Sequence, residues 1–208
     1  MPDNHKRIAR VYRKLGLQIA NRPKKKRKGP AQRHLFVAPT KPNELWAMDF
    51  VSDASASGRR FRIFTIKDLF THECLELFVE RSIRGEDVAR TLDRLVDRRG
   101  APRGVICDNG TEFTSQAMSK WEHRTHIRLQ FIRPGKPIEN AFIESFNGKL
   151  RRECLDQNWF ADLHEAKSII EQWRIEYNTD RPTKPLGNMT PEQFAKRYRD
   201  QIEIQINN

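Results

Sequence analysis

The chain has 208 residues, 37% of them apolar and 32% charged, which suits one soluble domain of ordinary size with extensions. No run is long and apolar enough to cross a bilayer, and the N-terminus lacks the apolar region of a signal peptide. The net charge of +12 predicts a polyanionic partner, and nucleic acid fits better than a membrane surface because no apolar anchor accompanies the charge. Solubility alone would also explain the charge, but the basic residues cluster.

The first 40 residues combine an amphipathic helix with a basic segment. Residues 5–17 place Ile8, Val11 and Leu15 at helical spacing. One such helix cannot bury its apolar stripe alone, so residues 1–21 are interpreted as the last piece of a helical module. Residues 22–40 are interpreted as a flexible linker. Its basic side chains are expected to neutralise phosphates, and they are Lys24, Lys25, Lys26, Arg27 and Lys28.

Residues 41–160 predict an α/β domain. Three strands come first, in NELWAMDFVSD, RRFRIFTIKDLF and HECLELFVE. A helix, a short buried strand ending in CDNG, a helix, a strand and a helix after Pro137 follow. Residues 161–208 predict two more helices packed on this core, the last with a capping box from Thr190 to Gln193. This order predicts a mixed five-stranded sheet with flanking helices.

Two residue types are expected inside the protein. The cysteines Cys74, Cys107 and Cys154 stand far apart, which favours reduced thiols over disulfides or a zinc site. Each tryptophan sits in an apolar-periodic segment and is expected in the core; these are Trp46, Trp121, Trp159 and Trp173.

Three acids lie at positions in the predicted strands and helix that would allow them to share one metal site. Asp49 lies in the middle of the first predicted strand, where an unpaired carboxylate would be costly. Asp108 ends a buried strand just before an Asn-Gly turn. Clustered carboxylates repel each other unless cations bind them, and oxygen ligands without His or Cys imply Mg²⁺ or Mn²⁺. A pair of such ions is the usual device for in-line phosphoryl transfer.

The third acid, Glu144, lies on the helix after Pro137. At about 100° per residue, the side of the helix opposite Glu144 carries Phe142, Phe146 and Leu150, which are expected to face the core. Short or basic residues surround Glu144 itself, namely Asn140, Asn147, Gly148 and Arg151. This face leaves room for a ligand. The alternative interpretation is that Glu144 is a surface acid and Asp108 only a turn former.

The local motifs carry a family resemblance. WAMDF around Asp49, CDNGTEF around Asp108 and PGKPIENAFIESFNGKLRRECL around Glu144 resemble the D, D and E motifs of retroviral-integrase-like transposases. Asp108 and Glu144 have 35 residues between them, which is the D-D-35-E spacing. YNTDRPTKPLGNMTPEQF also resembles the tail of these proteins, although Thr183 replaces the usual histidine. The chain is most similar to second-frame (OrfB) transposases of bacterial insertion sequences over essentially its whole length.

The resemblance implies an RNase H-like fold, with residues 41–160 as the integrase catalytic core and residues 1–21 as a remnant of a helix-turn-helix-like region. It implies that Asp49, Asp108 and Glu144 are catalytic and bind two Mg²⁺ (or Mn²⁺) ions. The implied reaction is hydrolysis of a DNA phosphodiester, followed by attack of the freed 3′-OH on another DNA phosphate. DNA contacts are expected from Lys136, Asn140, Asn147, Lys149 and Arg151.

The same resemblance implies partners and a location. We expect double-stranded DNA, namely terminal inverted repeats and target DNA, as the substrate. A first-frame (OrfA) protein or a fusion with it, and a homo-oligomer assembled on DNA, are the expected protein partners. A cytoplasmic, nucleoid-associated location without a membrane contact follows.

Three further acids and two other functions stay open. Asp53 is expected in a turn and Asp68 in a structural role at a strand end. Glu112, which follows the Asn-Gly turn, is expected to support the metal ligands without binding the ion itself. One alternative function is a DNA-binding relic that catalyses nothing. The other is a nuclease of RNA–DNA hybrids on the same fold.

Overall fold

The computed structural model describes residues 10–11, 14–15, 38–132 and 141–206. The chain divides into two compact units, Met1–Phe36 and Val37–Asn208. In the first unit, residues 10, 11 and 14 are helical. The rest of the predicted amphipathic helix and the basic residues 24–28 lie outside the described residues.

The second unit contains a mixed sheet. Its strands are β1 (Leu45–Ala54), β2 (Arg60–Asp68), β3 (Cys74–Glu80), β4 (Gly104–Cys107) and β5 (Arg128–Phe131). Their order across the sheet is β3-β2-β1-β4-β5. The first three strands are antiparallel neighbours, whereas β4 lies parallel to β1 and β5 parallel to β4. The predicted mixed five-stranded sheet is confirmed.

Helices make the crossovers that parallel strands need. The described helices are α1 (Gly85–Arg99), α2 (Gln116–Thr125), α3 (Ala141–Glu153), α4 (Leu163–Thr179) and α5 (Pro191–Ile206). α1 joins β3 to β4, and α2 joins β4 to β5. The predicted capping box is present, because the Thr190 hydroxyl accepts from the Gln193 amide over 3.2 Å and the Gln193 side chain accepts from the Thr190 amide over 3.1 Å.

Each face of the sheet has its own core, because side chains alternate along a strand. Trp46 and Met48 of β1 pack with the residues of α1 and α2. Ala47 and Val51 pack with those of α3 and α4. Asp49 has the same parity as Ala47 and Val51, so it lies on the face that α3 covers.

The buried stripe of α3 differs from the predicted one. Its buried residues are Ile143, Phe146 and Leu150, whereas Phe142 is 46% exposed. The prediction for Phe142 is therefore wrong. Around the helix, Ile143 lies about 20° from Leu150, and Phe142 lies about 80° from it. Packing selects the narrower stripe.

One tryptophan also departs from its predicted place. Trp46, Trp121 and Trp173 are buried, but Trp159 is 84% exposed in the loop before α4, so the prediction for it is wrong. The three cysteines are free and buried, as expected. Among the described residues, no helix is long and apolar enough to cross a membrane.

Candidate active site

The sheet brings Asp49 and Asp108 to one place. The parallel register pairs Leu45 with Gly104 and Ala47 with Ile106. Continued by two residues, this register sets Asp108, just past the end of β4, beside Asp49. Ile106 shares a core with Ala47, so the alternation places Asp108 on the same face as Asp49.

A tight turn holds the Asp108 carboxylate. Its Oδ1 accepts a hydrogen bond from the Gly110 amide over 2.9 Å, and the Asn109 side chain donates to the Ile132 carbonyl over 2.8 Å. A Cβ on Gly110 would lie 3.0 Å from Asp108 Oδ1. The glycine therefore lets the backbone approach the carboxylate closely.

Helix α3 supplies the third acid and a hydrogen bond to the first. Ile143 and Phe146 anchor the helix on the sheet, which leaves Glu144 exposed. One turn later, Asn147 Nδ2 donates to Asp49 Oδ2 over 2.9 Å. The other Asp49 oxygen accepts from the Phe50 amide over 2.8 Å. Both oxygens of this carboxylate are thus oriented.

The electrostatics of Asp49 show that the three acids interact. Burial is the main cause that raises the pKa of Asp49 from 3.8 to about 6, and the charges of Asp108 and Glu144 raise it further. The bonds from Phe50 and Asn147 act in the opposite direction because they favour the ionised form.

The oxygen atoms of the three acids suit a hard cation, although the three side chains are too far apart to bind one together. Among the described residues, no three His, Cys, Asp or Glu side chains come close enough to hold a metal ion together. The three acids offer only oxygen atoms, and the buried Oδ1 of Asn147 accepts no hydrogen bond from any residue that the structure describes. Such a set matches the ligands that Mg²⁺ or Mn²⁺ prefers. Binding would require Glu144 to approach the two aspartates.

Two basic residues of α3 lie in different surroundings. Arg151 donates to the Ser52 carbonyl over 2.6 Å and lies 3.6 Å from Asp53, which joins the end of α3 to β1. Lys149 is half-buried, and its charge is one cause that lowers the pKa of Lys67. Lys136 and Asn140 lie outside the described residues.

The other acids near the motifs have structural partners. Asp53 lies within β1, paired with Phe61, so the prediction of a turn is wrong. Asp68 is fully buried and accepts from three backbone amides, those of Asn43, Phe70 and Thr71. Glu112 forms an ion pair with Arg62.

Sequence reasoning missed two features of this region. The pattern gave no reason to pair Asn147 with Asp49 rather than with DNA. It also missed a buried lysine beside α3, Lys67, whose Nζ lies 3.5 Å from Nδ1 of His72. A lysine inside the apolar strand segment FRIFTIKDLF was the available signal.

Comparison with known proteins agrees with this geometry. The family described as integrase core domain matches residues 39–137 and, in a second form, residues 125–191. An uncharacterized 31.7 kDa protein of insertion element IS407 from Burkholderia multivorans is 45% identical over 94% of this chain and 70% of its own length. An uncharacterized 39.2 kDa protein of insertion element IS476 from Xanthomonas euvesicatoria is 44% identical over 95% of this chain and 57% of its own length.

A solved structure shares the fold. The HTLV-2 integrase catalytic core domain, solved in complex with magnesium in a trimeric form, has a TM-score of 0.58 and 18% identity. The match covers 75% of this chain and 98% of that one. The sheet and its flanking helices are therefore RNase H-like. The family matches and the insertion-element relatives show that the chain belongs to the integrase core domain family, as an insertion-sequence transposase with an integrase-like core.

Proposed function

We propose that this chain cuts and joins DNA strands during transposition of its insertion sequence, with Asp49, Asp108 and Glu144 as the catalytic acids. One observation carries the proposal. The two aspartates and the helix that bears Glu144 share one face of the sheet, and the charges of Asp108 and Glu144 raise the pKa of Asp49. Carboxylates gathered in this way repel each other, so a cation is the natural partner.

The three acids would hold two Mg²⁺ or Mn²⁺ ions. When bound, such a pair activates the attacking oxygen and stabilises the leaving oxygen of an in-line displacement. Two observations support this assignment: the raised pKa of Asp49, and Oδ1 of Asn147, which is buried without a partner among the described residues. Asn147 keeps Asp49 oriented, and Arg151 keeps α3 against β1.

The proposed chemistry has two steps. Water attacks a phosphorus atom at the element end, and the 3′ oxygen leaves as a free hydroxyl. That hydroxyl then attacks a phosphate of the target DNA and displaces a second 3′ oxygen. Each step exchanges one phosphodiester oxygen for another, so no protein nucleophile is needed.

The substrate would be double-stranded DNA carrying the terminal inverted repeats, together with target DNA. Among the predicted contacts, Arg151 would need to leave Ser52 and Asp53 to reach a phosphate, and half-buried Lys149 would need to turn outward. Residues 24–28, Lys136 and Asn140 remain predicted contacts. A first-frame partner, a homo-oligomer on DNA and a nucleoid-associated location also belong to this proposal.

The test is a strand-joining assay on a labelled duplex of the element end with Mg²⁺. Asp49→Asn, Asp108→Asn and Glu144→Gln should each slow joining by about a thousandfold or more while the fold is retained. Asp97→Asn is the matched control, because Asp97 is exposed on α1 at the opposite face of the sheet. Full joining by Glu144→Gln would contradict the assignment.

Two other results would favour a different function. Salt-sensitive DNA binding by the wild type, with no metal-dependent cutting, would indicate a binding relic. Cutting of RNA–DNA hybrid with duplex DNA left intact would indicate a nuclease.

A further inference from the structure

Trp159 is an exposed indole on a firmly held segment. It is 84% exposed, whereas the next residue, Phe160, is 2% exposed and packs edge-on against Phe61 at 5.7 Å between ring centroids. On the other side, the Asn158 side chain donates to the Cys154 carbonyl over 2.7 Å. The exposure of Trp159 is therefore a property of the folded segment.

The segment lies beside the turn between β1 and β2. The Ala56 amide donates to the Phe160 carbonyl over 2.7 Å. This turn carries Arg59 and leads into Arg60, and both are exposed and form no ion pair with a described residue. The nearby acid Asp156 already lies 3.8 Å from Arg151. An indole and two free guanidinium groups thus occur at one end of the sheet.

This end of the sheet is reached from the candidate active site along β1. From Asp49 to its last residue, Ala54, β1 spans about 17 Å at the rise of an extended strand. Helix α3 accompanies it, since Asn147 meets Asp49 and Arg151 meets Ser52. A strand of DNA that leaves the carboxylates in this direction would reach Trp159 after about five nucleotides at B-form spacing.

The surroundings of Trp159 do not resemble a protein interface. Its sequence neighbours Gln157, Asn158 and Ala161 are exposed, and the other large apolar residues that the structure shows as exposed lie on other segments. Protein interfaces bury an apolar centre built from several side chains. A lone indole at the same end of the sheet as two exposed arginines instead suits a nucleotide, whose base stacks on the ring while the arginines neutralise nearby phosphates.

We propose that Trp159 stacks on an unpaired base of the DNA that leaves the active site, with Arg59 and Arg60 on its phosphates. This inference rests on the proposed function, because it takes DNA as the substrate. The base must be unpaired, since a base inside a duplex hides its face in the stack. Hydrolysis close to a strand end frees a short segment of the cut strand, and the bases opposite that segment lose their partners. The reaction itself therefore produces such a ligand, on the uncut strand.

The chain reports on its own contact. It has four tryptophans, and Trp159 is the exposed one, so quenching of solvent-accessible indole fluorescence follows this residue. A duplex with a short single-stranded overhang should quench this emission, and a blunt duplex of the same sequence should not. Trp159→Phe, which keeps an aromatic face, should remove the signal and keep most of the affinity.

Binding measured by anisotropy completes the test. Trp159→Ala should weaken binding of overhang DNA by about tenfold and leave binding of blunt DNA unchanged. Ile175→Ala, which removes another exposed apolar side chain on α4, should change neither. Equal affinities of Trp159→Ala and wild type for overhang DNA, or an equal loss on both DNAs, would overturn the proposal. A Trp159-dependent dimer in sedimentation would overturn it in favour of a second copy of the chain.

The proposed function has a separate readout. Wild-type joining with Mg²⁺ tests the catalytic assignment, and the fluorescence and anisotropy comparison tests Trp159. A protein that joins DNA without quenching refutes only the stacking contact.

Discussion

Asn147 donates a hydrogen bond from its side-chain nitrogen to Oδ2 of Asp49 over 2.9 Å. The two residues are 98 positions apart in the chain, one on helix α3 and the other in the middle of β1. The bond therefore couples the position of the helix that carries Glu144 to the orientation of the Asp49 carboxylate.

Removing this amide should slow catalysis without unfolding the protein. Asn147→Ala leaves one oxygen of Asp49 without its partner, so we expect joining to slow by about 10- to 100-fold and the Mg²⁺ requirement to rise. Single-turnover joining across a Mg²⁺ titration measures both effects. Gln172→Ala removes an exposed amide from α4 and serves as the control. An unchanged rate would show that the bond does not orient Asp49 during the reaction.

Neutralising Asp49 should stabilise the metal-free protein at neutral pH. The pKa of Asp49 is raised from 3.8 to about 6, so the folded state favours the protonated acid. The stability that the folded protein gains from protonated Asp49 is fully present below pH 3.8 and is lost as the pH rises through about 6. We therefore expect Asp49→Asn to melt above wild type at pH 7 in the presence of a chelator. The difference should shrink toward pH 4, the region where the unfolded-state acid titrates.

Added Mg²⁺ should reverse the order of the two melting temperatures, so that wild type melts above Asp49→Asn. A cation that binds only the folded wild type raises its melting temperature, and the variant lacks one of the ligands. Asp97→Asn should follow wild type in both conditions. If Mg²⁺ stabilised Asp49→Asn as much as wild type, Asp49 would not be a ligand.

The buried lysine of β2 should destabilise the protein at neutral pH. Lys67 is 5% exposed, and burial, followed by the charge of Lys149, lowers the pKa of its ammonium to about 8. Because the unfolded-state pKa is 10.5, the unfolded chain binds more protons between about pH 8 and 10.5. The free energy of unfolding should therefore rise between about pH 8 and pH 10.5 and level off above that range.

Lys67→Met keeps the length of the side chain and removes its charge. We expect it to raise the free energy of unfolding at pH 7 by about 3 kcal/mol, with the gain fading as the pH approaches 10.5. Urea unfolding at several pH values measures this. Lys120→Met, at an exposed position of α2, should change little. A destabilised Lys67→Met would mean that the ammonium has a compensating partner.

Two phenylalanines of α3 should differ in their contribution to stability. Phe146 is 1% exposed and packs on Trp173 and Tyr177, with centroid distances of 5.7 Å and 5.1 Å. Phe146→Ala should therefore cost about 3 to 5 kcal/mol in denaturant unfolding. Phe142 is 46% exposed, so Phe142→Ala should cost less than about 1 kcal/mol. Equal costs would support the original prediction that both face the core.

Local pattern was sufficient for most of the fold. The segment NELWAMDFVSD was readable as a strand from its alternation, and the structure places Trp46 and Met48 in a different core from Ala47 and Val51. The capping box at Thr190 was readable because its two hydrogen bonds join residues three apart. Such signals are local, so they survive without knowledge of the partners of a segment.

Pattern failed where a distant partner decided the outcome. Phe142 and Ile143 are both apolar, and the sheet beneath α3 selects Ile143. Of the neighbours Trp159 and Phe160, it is Phe160 that is buried, because its carbonyl bonds the β1–β2 turn and its ring packs on Phe61. Arg151 is basic and near Glu144, but Ser52 and Asp53 are within its reach. None of these partners is adjacent in the chain.

The sequence by itself determined the order of strands and helices, the family and the three acids at their spacing, because these depend on periodicity and on motifs within short segments. Only the tertiary structure decided that Asp49 and Asp108 share a face through the parallel register of β1 and β4, and that Asn147 holds Asp49. It also decided that Trp159 stays in solvent. The physical reason is that burial and hydrogen bonding depend on which distant segment arrives at each side chain.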